Sequence, residues 1–425
     1  LEASLVCYLV LADLIEQVRS NFGTESSKLF LSQRTRQAWE EGLGVATQLY
    51  RKTKKTKYLN TVFSFMQRSK AVVMREMLAS SRALGLAGVP DSLIQKERSL
   101  SQSIAYYRRE IRKGGEDVST LKYHNSTLSV KEFLEEIVQE EELRLTYFYG
   151  KDSIYLLAID QSQLKINTFP HSPLLTSEVK KLCELLSAAP SSQNFVQKTD
   201  TFHYLSHLLY QKLIAPIAPD TYSQRHWIIV PDGELNYLPF EVLLTHPIKG
   251  EDYRQSYRHY LFHKGRISYR YGLPQKALSQ KQMPDFEKPI LGFAPIFDGY
   301  ASNLRSCQSE ELNKLICSGE EVSQIAQLMY GEGIIGKNAT RNTFNQRVQG
   351  TQILHLATHT CIDPTQSTGS QIFLSDDYLT NQELESFDLE TELVVLSACQ
   401  TGIGKLEMGE GVMSLARGFF LAGAN

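Results

Sequence analysis

Four short segments of the chain are apolar almost without interruption: Trp227-Ile228-Ile229-Val230, Ile290-Leu291-Gly292-Phe293-Ala294, Ile353-Leu354-His355-Leu356-Ala357 and Leu393-Val394-Val395-Leu396-Ser397. A strand apolar on both faces has no side to give to water, so it belongs in a largely parallel sheet covered by helices. Helical patterns lie between these runs, for example at 320–330 and 340–348, and supply the crossovers that parallel strands need. Before them, residues 143–149, 154–159 and 164–169 are aromatic or β-branched runs separated by Gly150-Lys151-Asp152 and Gln161-Ser162, the pattern of an antiparallel meander. Helical runs at about 175–188 and 199–215 follow it. The fold class predicted is α/β, a mostly parallel sheet with flanking helices.

The first part of the chain has a different texture. From Leu31 to about Arg112, apolar residues recur at three-to-four spacing, as in Leu59, Phe63, Met66, Ala71 and Met74, which predicts amphipathic helices. The basic run at 51–57 carries five lysines and arginines and predicts a solvated turn between two of them. Gly88-Val89-Pro90-Asp91-Ser92 predicts a break, followed by a helix from Leu93 to about Ile111. The expected division is an all-helical, repeat-like region at 1–115 and an α/β domain at 116–425. The chain starts at Leu1 and stops after an apolar run, Val412 to Ala422, that reads as a helix, so both ends are expected to be cut.

With 425 residues the chain is long enough for two or three domains at roughly 150 residues each, and its 42% apolar content excludes disorder as the dominant state. Lys+Arg 45 against Asp+Glu 47 leaves a formal charge of −2, so no global field draws the protein to nucleic acid, and no direct nucleic-acid partner is expected. No segment supplies the ~18 uninterrupted apolar residues of a membrane helix, which predicts no membrane partner and a cytoplasmic location. The six cysteines form no C-x-x-C pair, arguing against a disulfide framework and a thiolate zinc site.

In an open parallel sheet, reactive groups collect beyond the carboxyl ends of the strands. Two such ends carry nucleophile chemistry: His355-Leu356-Ala357-Thr358-His359-Thr360 and Ser397-Ala398-Cys399-Gln400-Thr401-Gly402. If the two strands are neighbours, about 4.8 Å apart, an imidazole and a thiol face one another. An imidazole beside a thiol favours the nucleophilic thiolate and can then protonate a leaving amine. The backbone N–H groups of Thr360 and Cys399 are candidate oxyanion donors. Cys361 is a rival nucleophile, but it follows the histidine without a strand-end turn of its own.

Other readings are weaker. His355 and His359, on a strand, lie about 13 Å apart and cannot share a metal ion, so neither a metal nor a cofactor is expected. His355 reads instead as a hydrogen-bonded strand residue beneath the site. The glycines around Glu410 lack the GxxxxGK[ST] pattern, and an acid between glycines repels phosphate. Glu410 reads as a cap for a helix starting near Gly411, or as one of four acidic candidates for a pocket receiving a basic substrate side chain, with Asp363, Asp376 and Asp377. Pro231 to Glu241 reads as a folding element rather than a catalytic one.

Taken together, Ile353 to His359, Tyr378-Leu379-Thr380-Asn381-Gln382-Glu383, Leu393 to Gly402 and Gly409-Glu410-Gly411-Val412-Met413-Ser414-Leu415-Ala416-Arg417-Gly418-Phe419 resemble the CHAT domain. This is the caspase-like peptidase domain, related to separase, found behind tetratricopeptide repeats in bacterial proteins. The stretch Pro231 to Glu241 is also similar to it, and the likeness covers about residues 120–425. The resemblance implies a caspase-like fold and a cysteine endopeptidase, with His359 as the catalytic histidine and Cys399 as the nucleophile. It further implies a protein substrate, possible regulation by a second protein through tetratricopeptide-like helices, and family elements beyond residue 425. The alternative left open is a non-catalytic scaffold that uses the same fold only to present surfaces.

Overall fold

A computed structural model describes residues 1–22, 25–77, 130–136, 138, 141–187, 194–217, 225–248, 257–272, 286–297, 312, 314–362, 370–387, 389, 391–398 and 404–424. They form a mixed α/β protein with helices at its N-terminus. Two compact units are present: Leu1–Arg75, Thr120–Gln280 and Met408–Gly411 in the first, and Glu76–Ser119, Lys281–Glu407 and Val412–Asn425 in the second.

The first unit opens with α1 (Glu2–Asn21), α2 (Glu25–Thr53) and α3 (Thr56–Arg68). The basic run falls at the turn between α2 and α3 and is exposed throughout 51–57. After α4 (Val130–Glu136), the chain forms β1 (Glu142–Tyr149), β2 (Ser153–Ile159) and β3 (Leu164–Pro170), the predicted meander. Next come α5 (Pro173–Ser187), α6 (Phe195–Leu213), β4 (Arg225–Val230) and β5 (Gly265–Tyr269). The sheet order is β3-β2-β1-β4-β5, antiparallel within the meander and parallel from β1 to β5. Every residue of β1 is buried, because alternate side chains enter different cores. Leu143, Leu145 and Tyr147 pack with Val179 of α5 and Leu209 of α6. Phe148 enters a second core that holds Trp39 and Leu43 of α2 and Phe63 and Met66 of α3.

One expectation is corrected here. The apolar run at 227–230, β4, joins the meander, not the other three runs.

Those three build the second unit as β6 (Lys288–Pro295), β8 (Thr351–Ala357) and β12 (Leu393–Ser397), with α7 (Ser318–Leu328), β7 (Glu332–Gly336) and α8 (Arg341–Arg347) between β6 and β8. Their sheet is parallel in the order β12-β8-β6-β7. Helix α7 covers one face, where Val322 packs with Ala294 and Ala357. A Cβ on Gly292 would meet Val322 Cγ1 at 2.6 Å, so only glycine lets α7 come this close to β6. The other face is covered by α8, α9 (Asn381–Leu384) and α10 (Leu415–Leu421), through Phe344, Leu384, Leu415 and Phe419. Removing such a side chain, as in Leu415→Ala, costs about 2–5 kcal/mol. Strand β12 lies at the edge of this sheet, and Leu393 is 46% exposed.

Past β8 the chain forms a small antiparallel sheet of β9 (Thr360–Cys361), β10 (Gln371–Phe373) and β11 (Tyr378–Thr380). The run expected to be helical from Val412 divides in two. Hairpin strands β13 (Gly404–Glu407) and β14 (Gly411–Ser414) come first, and α10 begins only at Leu415, where the Ser414 side chain accepts the Arg417 N–H. No helix among the described residues is long and apolar enough to cross a membrane.

Candidate active site

Strands β8 and β12 are direct, parallel neighbours, with Leu393 opposite Ile353 and Ser397 opposite Ala357. His359 follows Ala357 by two positions, just past the end of β8, and in the sequence Cys399 follows Ser397 by the same number. The two predicted positions are therefore at equal sequence offsets past the last rung of one parallel ladder. Cys399 itself, like Asp363, lies outside the described residues.

The histidine is held by its surroundings. Before it, the buried Thr358 donates its hydroxyl to the Phe373 carbonyl at 2.6 Å. The His359 carbonyl accepts the Phe373 N–H at 3.0 Å. Thr360 then pairs with Ile372, and Cys361 with Gln371. Because His359 and Phe373 form a hydrogen-bonded pair, Thr360 and Ile372 form the non-hydrogen-bonded one, and the Thr360 amide points away from β10. The imidazole lies 5.0 Å from the Phe297 ring, tilted at 60°. Phe297 follows the end of β6, is 4% exposed, and clusters with Cys361 and Phe373. Nothing in the sequence of β6 marks Phe297, since the pairing of β6 with β8 is a long-range event.

Cys361 is disulfide-bonded, whereas Cys7, Cys183 and Cys317 are free thiols. The cysteine spacing gave no sign of that bond, and in this state Cys361 is not a thiolate nucleophile. His355 is buried beneath the site, with Nε2 2.9 Å from a Glu321 carboxylate oxygen on α7.

The described acidic candidates all have partners. Asp376 accepts the Arg341 N–H at 2.8 Å at the start of α8. Asp377 lies 3.4 Å from the Arg341 guanidinium, which also donates to the buried Glu383 at 2.7 Å. Glu410 is 1% exposed, and its carboxylate accepts the backbone N–H groups of Val73 at 2.9 Å and Met74 at 3.3 Å. It thus serves the start of the helical turn at 72–77, not a helix beginning at Gly411.

The segment Pro231 to Glu241 organises the first unit. Asp232, 2% exposed, accepts the Tyr149 N–H at 2.8 Å and the Gly233 N–H at 3.0 Å, and pairs with the Arg36 guanidinium. Burial alone would push this carboxyl up, but Arg36 and Lys70 reverse the effect and hold it below the usual carboxylate range. Gly233 has φ +55, and a Cβ there would strike the Tyr149 side chain at 2.6 Å.

The parallel sheet, the adjacent strand ends and the histidine packed just past one of them define an α/β protein with a candidate site at the carboxyl end of its sheet. The CHAT domain model matches residues 204–425, more than half of the chain, and the protein belongs to that caspase-like, peptidase-related family. No curated protein matches it.

Proposed function

We propose that the protein is a cysteine endopeptidase that cleaves protein substrates through Cys399 and His359. The observation that carries this reading is the β8–β12 register, which ends on Ala357 opposite Ser397 and leaves both groups two residues further on. Cys399 sulfur attacks the scissile carbonyl while the imidazole holds the thiol proton. The tetrahedral oxyanion forms beside the Thr360 and Cys399 amides. His359 then gives its proton to the leaving amine, and water releases the acyl group from sulfur. The N-terminal helices recognise the substrate or a regulatory protein, and neither a metal nor a cofactor takes part.

The test is the rate at which iodoacetamide alkylates Cys399 under reducing conditions, followed by peptide mass spectrometry. Cys399 is expected to react at neutral pH at least tenfold faster than the exposed Cys7 and Cys317, and to lose that advantage in His359→Ala. A Cys399 that reacts no faster than those two, or that is indifferent to His359, would favour a scaffold that only presents surfaces.

A further inference from the structure

We infer that Ser268, His226 and Glu142 form a second nucleophilic site, which transfers the acyl group of an anionic ester to the Ser268 hydroxyl and then to water. All three belong to the first unit, and none takes part in the reaction proposed above. They come from three adjacent strands, β1, β4 and β5, with Glu142 opposite His226 and His226 opposite Arg266. Leu143, Trp227 and Ile267 join the core formed with α5 and α6, so Glu142, His226, Arg266 and Ser268, each next to one of them in its strand, share the other face of the sheet. Strand β5 is the edge of that sheet, and His226 and Ser268 are both partly exposed.

The row runs in the order nucleophile, base and orienting acid. Ser268 Oγ lies 2.9 Å from His226 Nε2, within reach for a hydroxyl to hand its proton to an imidazole. Across the ring, Nδ1 faces Glu142 Oε1 at 3.9 Å, longer than a hydrogen bond, as such contacts often are before substrate tightens them. Glu142 is itself held, because Oε2 accepts Arg144 Nε at 3.2 Å and Nη2 at 2.7 Å. Burial lowers the pKa of His226; Glu142 opposes this, and the guanidiniums of Arg266, Arg270 and Arg144 add to it. The imidazole is therefore neutral at pH 7 and able to take a proton. Arg266 and Arg270 are exposed and stand one alternation to either side of Ser268, which suits them to hold a carboxylate or phosphate on the substrate. Ser268 Oγ attacks the acyl carbon, its proton passes to Nε2, and the adduct collapses as that proton goes to the departing alkoxide. Water then repeats the sequence on the acyl-serine, releasing the acid and restoring the hydroxyl.

The experiment follows labelling of the full chain by a fluorophosphonate, in which Oγ bonds to phosphorus and fluoride leaves, with peptide mass spectrometry as the readout. At neutral pH Ser268 is expected to label about 100-fold faster than the exposed Ser177 and Ser323, and to fall to their rate in His226→Ala. If His226→Ala loses its cooperative thermal transition, His226→Gln, which still bonds a hydroxyl but takes no proton, carries the same comparison. Glu142 acts through the histidine as a positioning residue. Wild-type labelling should rise with pH through a midpoint below the ordinary imidazole value of ~6.5, and Glu142→Gln should move that midpoint lower still while slowing the plateau about tenfold. Of two reporter esters, para-nitrophenyl hemisuccinate, which is anionic, should be hydrolysed faster than the neutral acetate. Ser268→Ala should remove this hydrolysis, and Arg266→Met with Arg270→Met should remove the preference. Ser268 labelling no faster than that of Ser177 and Ser323, or unchanged in His226→Ala, would overturn the inference. A midpoint that does not move in Glu142→Gln would overturn the role of Glu142, and equal Ser268-dependent rates on the two esters would overturn the anionic substrate class.

Discussion

Ala357 and Ser397 face each other across the last rung of the β8–β12 ladder, and each is followed two residues later by a group suited to nucleophilic chemistry. In a parallel pair, residues at equal offsets from a shared rung leave the sheet together. A single register thus aligns two segments that lie forty positions apart in the chain.

A first prediction concerns the pH dependence of Cys399 alkylation under the proposed function. If the imidazole holds the thiol proton, Cys399 alkylation runs at its full rate below the ordinary thiol midpoint of ~8.5. In His359→Ala the midpoint moves up towards that value. Iodoacetamide rates measured from pH 5 to 10 check this, and identical midpoints in the two proteins would count against a dyad.

Lys70 makes a prediction about stability. Its ammonium is 2% exposed and donates to the Pro231 carbonyl at 3.1 Å. Burial lowers its pKa to about 8, the nearby Arg36 adds to that, and the attraction of Asp232 opposes it. Folding disfavours the charged form, so the penalty is complete below pH 8 and fades as pH rises towards the unfolded value of ~10.4. The unfolding free energy of the wild type should therefore gain about 3 kcal/mol relative to Lys70→Met across that window. Parallel urea curves for the two proteins between pH 7 and 10.5 would remove the claim.

Asp232 should be costly to neutralise. Asp232→Asn leaves the Arg36 and Lys70 charges buried without their counter-charge, at about 3–5 kcal/mol. Arg36→Met added to Asp232→Asn should recover part of the loss, because one of the stranded cations is gone. Urea denaturation of the single and double variants decides it, and additive losses would show that the pair is not coupled.

Glu410 should behave as a cap. Glu410→Ala withdraws the acceptor from the Val73 and Met74 amides and should lower stability by about 1–2 kcal/mol, with Glu410→Gln milder because one oxygen remains. Cys399 alkylation should be the same in all three proteins. A variant that unfolds like wild type would leave the carboxylate without this role.

How much of this was legible in the sequence depends on the range of the interaction. Residues 290–294, 353–357 and 393–397 were readable as strands because unbroken apolar character states that both faces are buried. The resemblance carried by the motifs around His359, Cys399 and Gly409 pointed to the family that the domain match then showed. By contrast, 412–414 read as helix and is strand β14, because the same apolar run satisfies either period until a hairpin partner supplies hydrogen bonds.

By itself, then, the sequence determined the class of most elements and the family, both of which are written in local pattern, and it named the candidate groups that follow two of the strands. Tertiary structure alone decided that β4 joins the meander, that α2 and α3 share a core with β1 and β2, that Glu410 serves the amides of Val73 and Met74, and that Phe297 lies against His359. An apolar side chain records only that it will be buried. Which neighbour buries it is settled when distant segments compete for the same surface, and the winning pairing is the one that fills space and leaves no backbone hydrogen bond unmade.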